Sequence, residues 1–450
     1  MNDTIIALAT PQGSGAIAVI RLSGAHAIEV VDKIFFSKKN LENLTSQSVV
    51  FGTIKKEDEI VDEVLISVFR NPKSYTGEDT VEISCHGSPY IIKTILELLV
   101  QNNVRMAQPG EFTQRAFMNG KLDLAQAEAV ADLIASESKA SHSIALHQMR
   151  GGVSNELATL RESLIYFTAL IELELDFGEE DVEFANREEL SSLVQNLEVK
   201  IQNLIESFNY GNAIKNGVPV AIVGYPNAGK SSLLNLLLNE ERAIVSDIAG
   251  TTRDTIEEVL TIEGIQYRFI DTAGLRQSDD TIENIGIERT KLAITKADII
   301  IHIYDVRDEN HAQNAITPFL DEMAREGKKL IQVANKIDLK EELYTSDTII
   351  FLSTKTKQGL DDLKRKMAHI LEVSKFENYV IISNFRHLES LKLAMISLQE
   401  VKQSMIQNLS GDLLSFHLRN TLRHIGDITG NIDIDKDILG TIFGKFCIGK

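Results

Sequence analysis

The sequence predicts a multidomain α/β and α chain: an N-terminal α+β domain, then a helical domain interrupted by an inserted P-loop α/β domain. Three observations predict it. Residues 4–117 carry short Val- and Ile-rich runs punctuated by Gly and Pro, a strand signature. From about 119 to 215 the chain is rich in Ala, Leu, Glu and Gln, with no proline between Lys121 and Val218, which favours long helices. Residues 218–372 then alternate strand and helix patterns, and helical patterning returns after them.

The elements follow in that order. In the first block TIIALAT, AIAVIRLSG, SVVFGTI, DEVLISVFR and DTVEISCHG read as strands, with helices over His26–Phe36 and Ser88–Asn102. After the α/β block, Leu388, Leu391, Met395, Leu398, Val401 and Met405 recur at helical spacing, giving one apolar face. An insertion is tolerated where the host's chain ends lie close together at its surface. The boundaries expected are 1–118, 119–215, 216–375 and 376–450, the second and fourth forming one helical domain. Glu172–Glu183 holds seven carboxylates, but without a metal-loop template it reads as a solvated helix end.

Composition sets outer bounds. A chain of 450 residues with 43% apolar and 25% charged residues is that of a soluble globular protein. No apolar run reaches the length of a membrane span, and MNDTIIALATPQG lacks the basic start of a signal peptide. The two cysteines, Cys85 and Cys447, exclude a disulfide framework and fit a reducing cytoplasm. With 65 acidic against 46 basic residues the net charge is −19, so the chain is not by itself an obvious nucleic-acid binder.

The α/β block carries the chemistry. GYPNAGKSS at 224–232 follows the apolar run Val218–Val223, and Gly224, Gly229, Lys230 and Ser231 fill the G-x-x-x-x-G-K-[ST] template. Glycines there let backbone N–H groups approach phosphates, Lys230 reaches the β/γ-phosphates, and Ser231 suits Mg²⁺. DTAG at 271–274 follows YRFI, placing Asp271 by the metal's water shell and Gly274 by the γ-phosphate. NKID at 335–338 follows LIQVA, and Asp338 can accept two hydrogen bonds from guanine N1–H and its 2-amino group. Adenine lacks both donors and would leave the carboxylate unpaired. Asn335 and Lys336 buttress base and loop, and Ser353, Thr354 and Lys355 after TIIFL fit the last guanine loop. In GTTRD, Thr252 is the expected Mg²⁺ ligand, with Thr251 adjacent. Each motif alone is weak; all of them in order, each after a strand, indicate a Ras-like fold that binds GTP.

Hydrolysis needs another arrangement. A Ras-type enzyme orients water with a glutamine after DTAG, but Leu275 stands here. Glu283 in DDTIENIG is a candidate to orient water; the plain alternative is a carboxylate favouring a helix N-terminus. Positive charge at the transition state has three candidate sources: Arg253, Arg276, or a monovalent cation beside Asn227.

At this point the residues resemble the bacterial MnmE (TrmE) family of tRNA modification GTPases. The resemblance covers essentially the whole chain: DTIIALATPQGSGAIAVIRLSG, YTGEDTVEISCHGSP, PGEFTQRAF, NGKLDLAQAEAVADLI, GYPNAGKSSLLN, SDIAGTTRD, DTAGLR with IENIGIERT, and the C-terminal CIGK. It implies a K⁺ ion in place of an arginine finger, held by Asn227, Ser246, Ile248 and Thr251, with Mg²⁺ on Ser231 and Thr252. Family members often have threonine at the place of Ser246. It implies that Glu283 orients water. The implied nucleotide contacts are Asn227, Ala228, Gly229, Lys230, Ser231, Ser232, Ser246, Asp247, Ile248, Ala249, Gly250, Thr251, Thr252, Asp271, Thr272, Ala273, Gly274, Asn335, Lys336, Asp338, Ser353, Thr354 and Lys355. The N-terminal region resembles a folate-binding domain that also dimerises. Arg21, Glu82, Lys121 and Lys450 match positions that bind a tetrahydrofolate one-carbon donor (5-formyl- or 5,10-methylene-tetrahydrofolate). From the residues alone, the first three would pass as surface charge. Cys447 is a candidate near the modification site; its plain alternative is a partly buried thiol.

The implied activity is GTP-driven installation of a carboxymethylaminomethyl group at C5 of wobble uridine 34. The implied partners are a second copy of the chain, tRNA, and the flavin-dependent GidA (MnmG) protein in a heterotetramer or larger complex, with no membrane. Two other readings compete. A ribosome-assembly switch typically appends a basic RNA-binding domain, whereas this chain ends in CIGK after the acidic NIDIDKD stretch. A membrane-remodelling GTPase needs a polybasic or lipid-facing segment, and none is present in the sequence.

Overall fold

The computed structural model describes residues 3–176, 186–241, 258–270, 283–308, 317–340, 348–371 and 380–430. It divides into two compact units: Met1–Ile134, Gln148–Ala169 and Leu418–Lys450 make one, Ala135–His147 and Leu170–His417 the other.

The first unit is built on β1 (Ile5–Leu8), β2 (Ile17–Ser23), β3 (Phe35–Phe36), β4 (Ser48–Lys56), β5 (Glu59–Phe69), β6 (Thr80–His86) and β7 (Arg105–Met106). Among the described residues these form one sheet in the order β3-β4-β5-β6-β2-β1-β7. Only the β1–β7 pair is parallel there; the other pairs are antiparallel. Alternation along the strands sorts their faces. Val64, Ile66 and Val68 of β5 and Val81 and Ile83 of β6 are buried, packed with α1 (Ala27–Asp32) and α2 (Pro89–Gln101) through Val31, Ile95 and Leu99. The alternate residues Ile17, Val49, Phe51 and Leu65 are exposed.

One expected helix is shorter than its pattern suggested. The helix expected over His26–Phe36 stops at Asp32, and Phe35 and Phe36 pair instead with Ile54 and Thr53 of β4. An apolar aromatic pair gains more from a half-buried sheet edge than from another helical turn.

The PGEF segment joins a partly buried ionic network. Gly110 adopts φ 74° before α3 (Glu111–Met118). Glu111 and Arg115, one helical turn apart, are both buried. Arg115 is bonded to Asp3, Glu78 and Glu111, and Arg105 bridges Asp3 and Glu111. Buried charges are tolerated when paired and hydrogen-bonded in this way.

Among the described residues the proline-free stretch is mainly helical: α4 (Leu124–Ile134), α5 (Lys139–Met149), α6 (Gly152–Asp176) and α7 (Arg187–Asn216). Asn186 caps α7 by accepting from the amides of Glu188 and Glu189. Farther along the chain lie α8 (Lys230–Glu241), α9 (Glu283–Lys296), α10 (Thr317–Arg325), α11 (Leu360–Ile370), α12 (Phe385–Ile406) and α13 (Gly411–Thr429). Helices α7 and α12 flank the α/β block in sequence yet pack together in the second unit. Val194, Leu197, Ile201 and Leu204 make the buried stripe of α7, and Leu391, Leu398 and Val401 that of α12. Gly211 lies so close to the chain that a Cβ would meet the Ile382 carbonyl oxygen at 2.2 Å. This is the arrangement of an α/β domain inserted into a helical one.

The inserted sheet, among the described residues, runs β13 (Ile349–Phe351), β12 (Lys329–Asn335), β11 (Ile299–Asp305), β8 (Val218–Val223), β10 (Ile265–Phe269), β9 (Glu258–Ile262). All pairs are parallel except β9–β10. Helices cover both faces: α8 and α11 through Leu233, Leu237, Leu363 and Met367, α9 and α10 through Ile294 and Leu320. Strands buried on two sides need near-continuous apolar runs, which VPVAIV and, His302 apart, IIIHIY supply. The loops at the carboxyl ends of such strands are where an open parallel sheet binds ligands.

Candidate functional site

The phosphate-type loop leaves β8 at Val223 and enters α8 at Lys230. Two glycines are required by space as well as by conformation. Gly224 has φ 152°, and a Cβ there would meet the Ile303 carbonyl oxygen at 2.0 Å. Gly229 has φ 105°, and a Cβ there would meet Asn335 Nδ2 at 2.1 Å. Between them Asn227 is exposed with φ 64°, and Ala228 is buried. Lys230 Nζ donates to the carbonyl oxygens of Gly224 and Tyr225 at 2.8 and 2.9 Å. Burial pushes its pKa below the ordinary lysine value. Ser231 is half-buried and Ser232 exposed in the first turn of α8. A glycine loop opening a twelve-residue helix directs backbone N–H groups and the helix dipole at one spot, an arrangement suited to phosphate.

Asn335 ties three loops together. It is wholly buried at the end of β12. Its Nδ2 donates to the Ala228 carbonyl oxygen at 2.9 Å, and its Oδ1 accepts from the Thr354 amide at 3.1 Å. The phosphate-type loop, NKID and Ser353–Lys355 are thereby brought to one place. Asp338 is exposed in a 3₁₀ turn, Ile337–Leu339, and its Oδ1 accepts from the buried Ser353 hydroxyl at 2.6 Å. A carboxylate so oriented can present its remaining lone pairs to a base with two adjacent N–H donors. Thr354 is half-buried and Lys355 exposed.

Two groups at this place are absent from the motifs. Asp305 ends β11 directly opposite Asn335 in the parallel register. It binds Lys336 Nζ at 3.0 Å and the Arg307 guanidinium at 2.7 Å. The Arg307 hydrogen bonds, with help from its amide and Lys336, hold the Asp305 carboxyl well below the usual range despite some burial. In sequence Asp305 is only an aspartate closing the buried run IIIHIY, and no local pattern marks its partner.

In the first unit two of the resemblance-derived residues, Arg21 and Glu82, meet. Arg21 and Glu82 face each other across β2 and β6, with Nε–Oε1 at 2.8 Å and Nη2–Oε1 at 2.7 Å. Tyr75 and Phe112 rings lie 5.6 and 5.9 Å from the Arg21 guanidinium. Lys121 reaches the Pro72 carbonyl oxygen at 3.0 Å, and its stem passes Gly77, so it borders the loop that carries Tyr75. A separate apolar cavity of about 1110 Å³, lined by Leu8, Pro11, Ile92, Leu96, Val100 and Met106, includes none of these residues.

Glu283 is the first residue of α9. Ser246, Asp247, Ile248, Ala249, Gly250, Thr251, Thr252, Asp271, Thr272, Ala273, Gly274, Cys447 and Lys450 lie outside the described residues, as do Arg253, Leu275 and Arg276. Among the described residues no helix is long and apolar enough to cross a membrane.

Comparison with known proteins gives matches along the whole chain. Residues 4–121 match the family model for the GTP-binding protein TrmE N-terminus, and residues 124–447 that for the MnmE helical domain. The chain is 51% identical to the tRNA modification GTPase MnmE of Cytophaga hutchinsonii, covering 100% of this chain and 98% of the relative. It is 49% identical to that of Christiangramia forsetii and 50% identical to that of Bacteroides fragilis, each over 100% of both chains.

Proposed function

The chain belongs to the MnmE family of tRNA modification GTPases, and from that premise we propose that it hydrolyses GTP to drive modification of tRNA. The reaction proposed is installation of a carboxymethylaminomethyl group at C5 of wobble uridine 34, together with the flavin-dependent GidA (MnmG) partner. The observation that carries the GTPase part is the buried Asn335, bonded at once to the phosphate-type loop and to the Ser353–Lys355 loop. It makes phosphate and base recognition one connected structure.

The residues fit the groups the reading requires. Gly224 and Gly229 leave a cradle that a Cβ would fill. Lys230 supplies a cation at the same loop, and Ser231 a hydroxyl for Mg²⁺; Thr252 is the proposed second ligand. For K⁺, Asn227 offers a neutral oxygen on an exposed, left-handed turn, with Ser246, Ile248 and Thr251 proposed to complete the shell. Bound K⁺ would supply positive charge at the bridging oxygen, while Glu283 orients the attacking water. In the first unit Glu82 can accept the paired N–H donors of an aminopyrimidinone, and Arg21 and Lys121 can hold a carboxylate-bearing ligand; this supports a tetrahydrofolate one-carbon donor, for which Lys450 is a further proposed contact. Cys447 is proposed to lie near the modification site. The exposed apolar strip Val49, Phe51 and Leu65 supports a homodimer through the N-terminal domain. The domain limits proposed are 1–118, 119–215, 216–375 and 376–450.

The test is mass spectrometry of wobble uridines from a strain lacking the gene. The C5 substituent is lost and returns on complementation. Its persistence in the deletion strain would contradict the reading.

A further inference from the structure

Asp305 belongs to none of the nucleotide motifs, yet it is bonded to the lysine of one of them. Strand β11 is buried from Ile299 to Tyr304, and Asp305 is the first residue to emerge, at the carboxyl edge where the site loops lie. The register sets it opposite Asn335, so Lys336 leaves β12 beside it. Lys336 has φ 66°, a left-handed conformation rare outside Gly, Asn and Asp. In that conformation its ammonium meets Asp305 Oδ2 at 3.0 Å.

The same carboxylate is held from the other side. Oδ1 accepts from the Arg307 amide and Nε, both at 3.0 Å, and Oδ2 from Nη2 at 2.7 Å. Asp305 is thus fixed by its own chain two residues on, and Lys336 is fixed by Asp305. Asp338 lies in the 3₁₀ turn that Lys336 caps, two residues on. The cluster therefore borders the carboxylate assigned to base recognition.

The energetics say what such a cluster is for. The Asp305 side chain is 20% exposed, Lys336 29% and Arg307 52%. Ion pairs this open add little to folding, so stability does not explain the arrangement. Orientation does. A free lysine stem loses rotamer entropy when it is immobilised, and a stem held beforehand loses less on binding.

We infer that Asp305 is a positioning residue for guanine nucleotide: it fixes Lys336, in its left-handed turn, as a wall of the base pocket before ligand arrives. This rests on the reading that NKID and Ser353–Lys355 bind guanine. The inference names no contact between Asp305 and the nucleotide; Asp305 acts through Lys336.

The experiment uses the full chain and a fluorescent GDP analogue, with parent, Asp305→Asn, Lys336→Met and the double variant. Kd and dissociation rate are measured at a temperature where circular dichroism shows every variant folded. Asp305→Asn is expected to weaken binding about fivefold, chiefly through faster dissociation. In the double variant Asp305→Asn adds nothing to the loss caused by Lys336→Met, because its effect runs through that side chain. Unchanged or tighter binding by Asp305→Asn overturns the inference. So do additive losses, which a merely structural role would give. If the parent itself fails to bind GDP, the guanine reading falls instead, so the two failures are distinguishable.

Discussion

Asn335 donates its side-chain amide to the main-chain carbonyl of Ala228, 107 residues earlier, at 2.9 Å and out of contact with solvent. With its oxygen it also accepts from the Thr354 amide. One side chain therefore sets the spacing between a phosphate-type loop and a base-type loop. Asn335→Ala leaves the buried Ala228 carbonyl and the amide of half-buried Thr354 without these partners. The buried carbonyl alone costs about 1–3 kcal/mol, and the amide, which water can reach, less. Denaturant unfolding of the α/β domain should show a loss in that range. GDP affinity should fall more than tenfold, since the loops lose their common anchor. An affinity equal to the parent's would mean the loops keep their spacing without it.

Gly229→Ala tests the same spacing from the other side. The new methyl would lie 2.1 Å from Asn335 Nδ2, on a residue with φ 105°. Left-handed strain of this kind costs about 1–3 kcal/mol before any overlap is counted. Nucleotide binding is expected to be abolished while the N-terminal sheet still folds. Calorimetry of GDP titration and far-ultraviolet circular dichroism check the two halves of that statement.

The N-terminal ionic network predicts a pH dependence. Arg105 donates to Asp3 and, with the charges of Arg115 and Arg105, holds its pKa below the ordinary value against partial burial. For Glu111 burial pushes upward, but Arg105, the Gln108 amide and Arg115 outweigh it, and the net shift is also downward. A depressed carboxylate pKa contributes stability that is present above the unfolded pKa, about 4. That stability is lost as pH falls through the folded value. Thermal melts between about pH 6 and about pH 3 should show the domain weakening below about pH 4, and Asp3→Asn should flatten that slope. A parent and variant with parallel profiles would show that Asp3 is not part of the linkage.

Potassium should be needed for turnover and not for binding. An arginine finger contributes about 10³–10⁵-fold in related enzymes, and a cation in its place should leave a large difference between K⁺ and Na⁺ buffers. Steady-state GTP hydrolysis in the two salts measures it; equal rates would remove Asn227 from that role. Glu283→Ala is expected to slow turnover about 10²–10⁴-fold, the usual range for a group managing proton transfer. GTP affinity should change little.

The sequence shows the nucleotide fold well because parallel strands buried on both faces are largely apolar, and each motif follows a strand pattern. VPVAIV before Gly224 is the clearest case, and KLIQVAN closes on the buried Val333, Ala334 and Asn335 although Lys329 is exposed and Gln332 half-buried. Asp305 was not legible, since its role depends on the register that sets β11 beside β12, and no local pattern encodes register between strands 30 residues apart. The Phe35–Phe36 strand was lost for a similar reason. A two-residue edge strand exists only because Ile54 and Thr53 pair with it. Arg21 and Glu82 became a pair only through the β2–β6 register; before that, the family resemblance alone marked them.

Asp338, oriented by the Ser353 hydroxyl, is proposed to read guanine. Xanthine carries a carbonyl where guanine has its 2-amino group, so a carboxylate partner suits guanine and a carboxamide, which can donate, suits xanthine. Binding of GDP and xanthosine diphosphate to the parent and to Asp338→Asn measures this most directly. The parent is expected to prefer GDP, and the variant to lose GDP affinity by about a hundredfold or more while gaining xanthosine diphosphate. GDP binding undiminished in Asp338→Asn would contradict the claim.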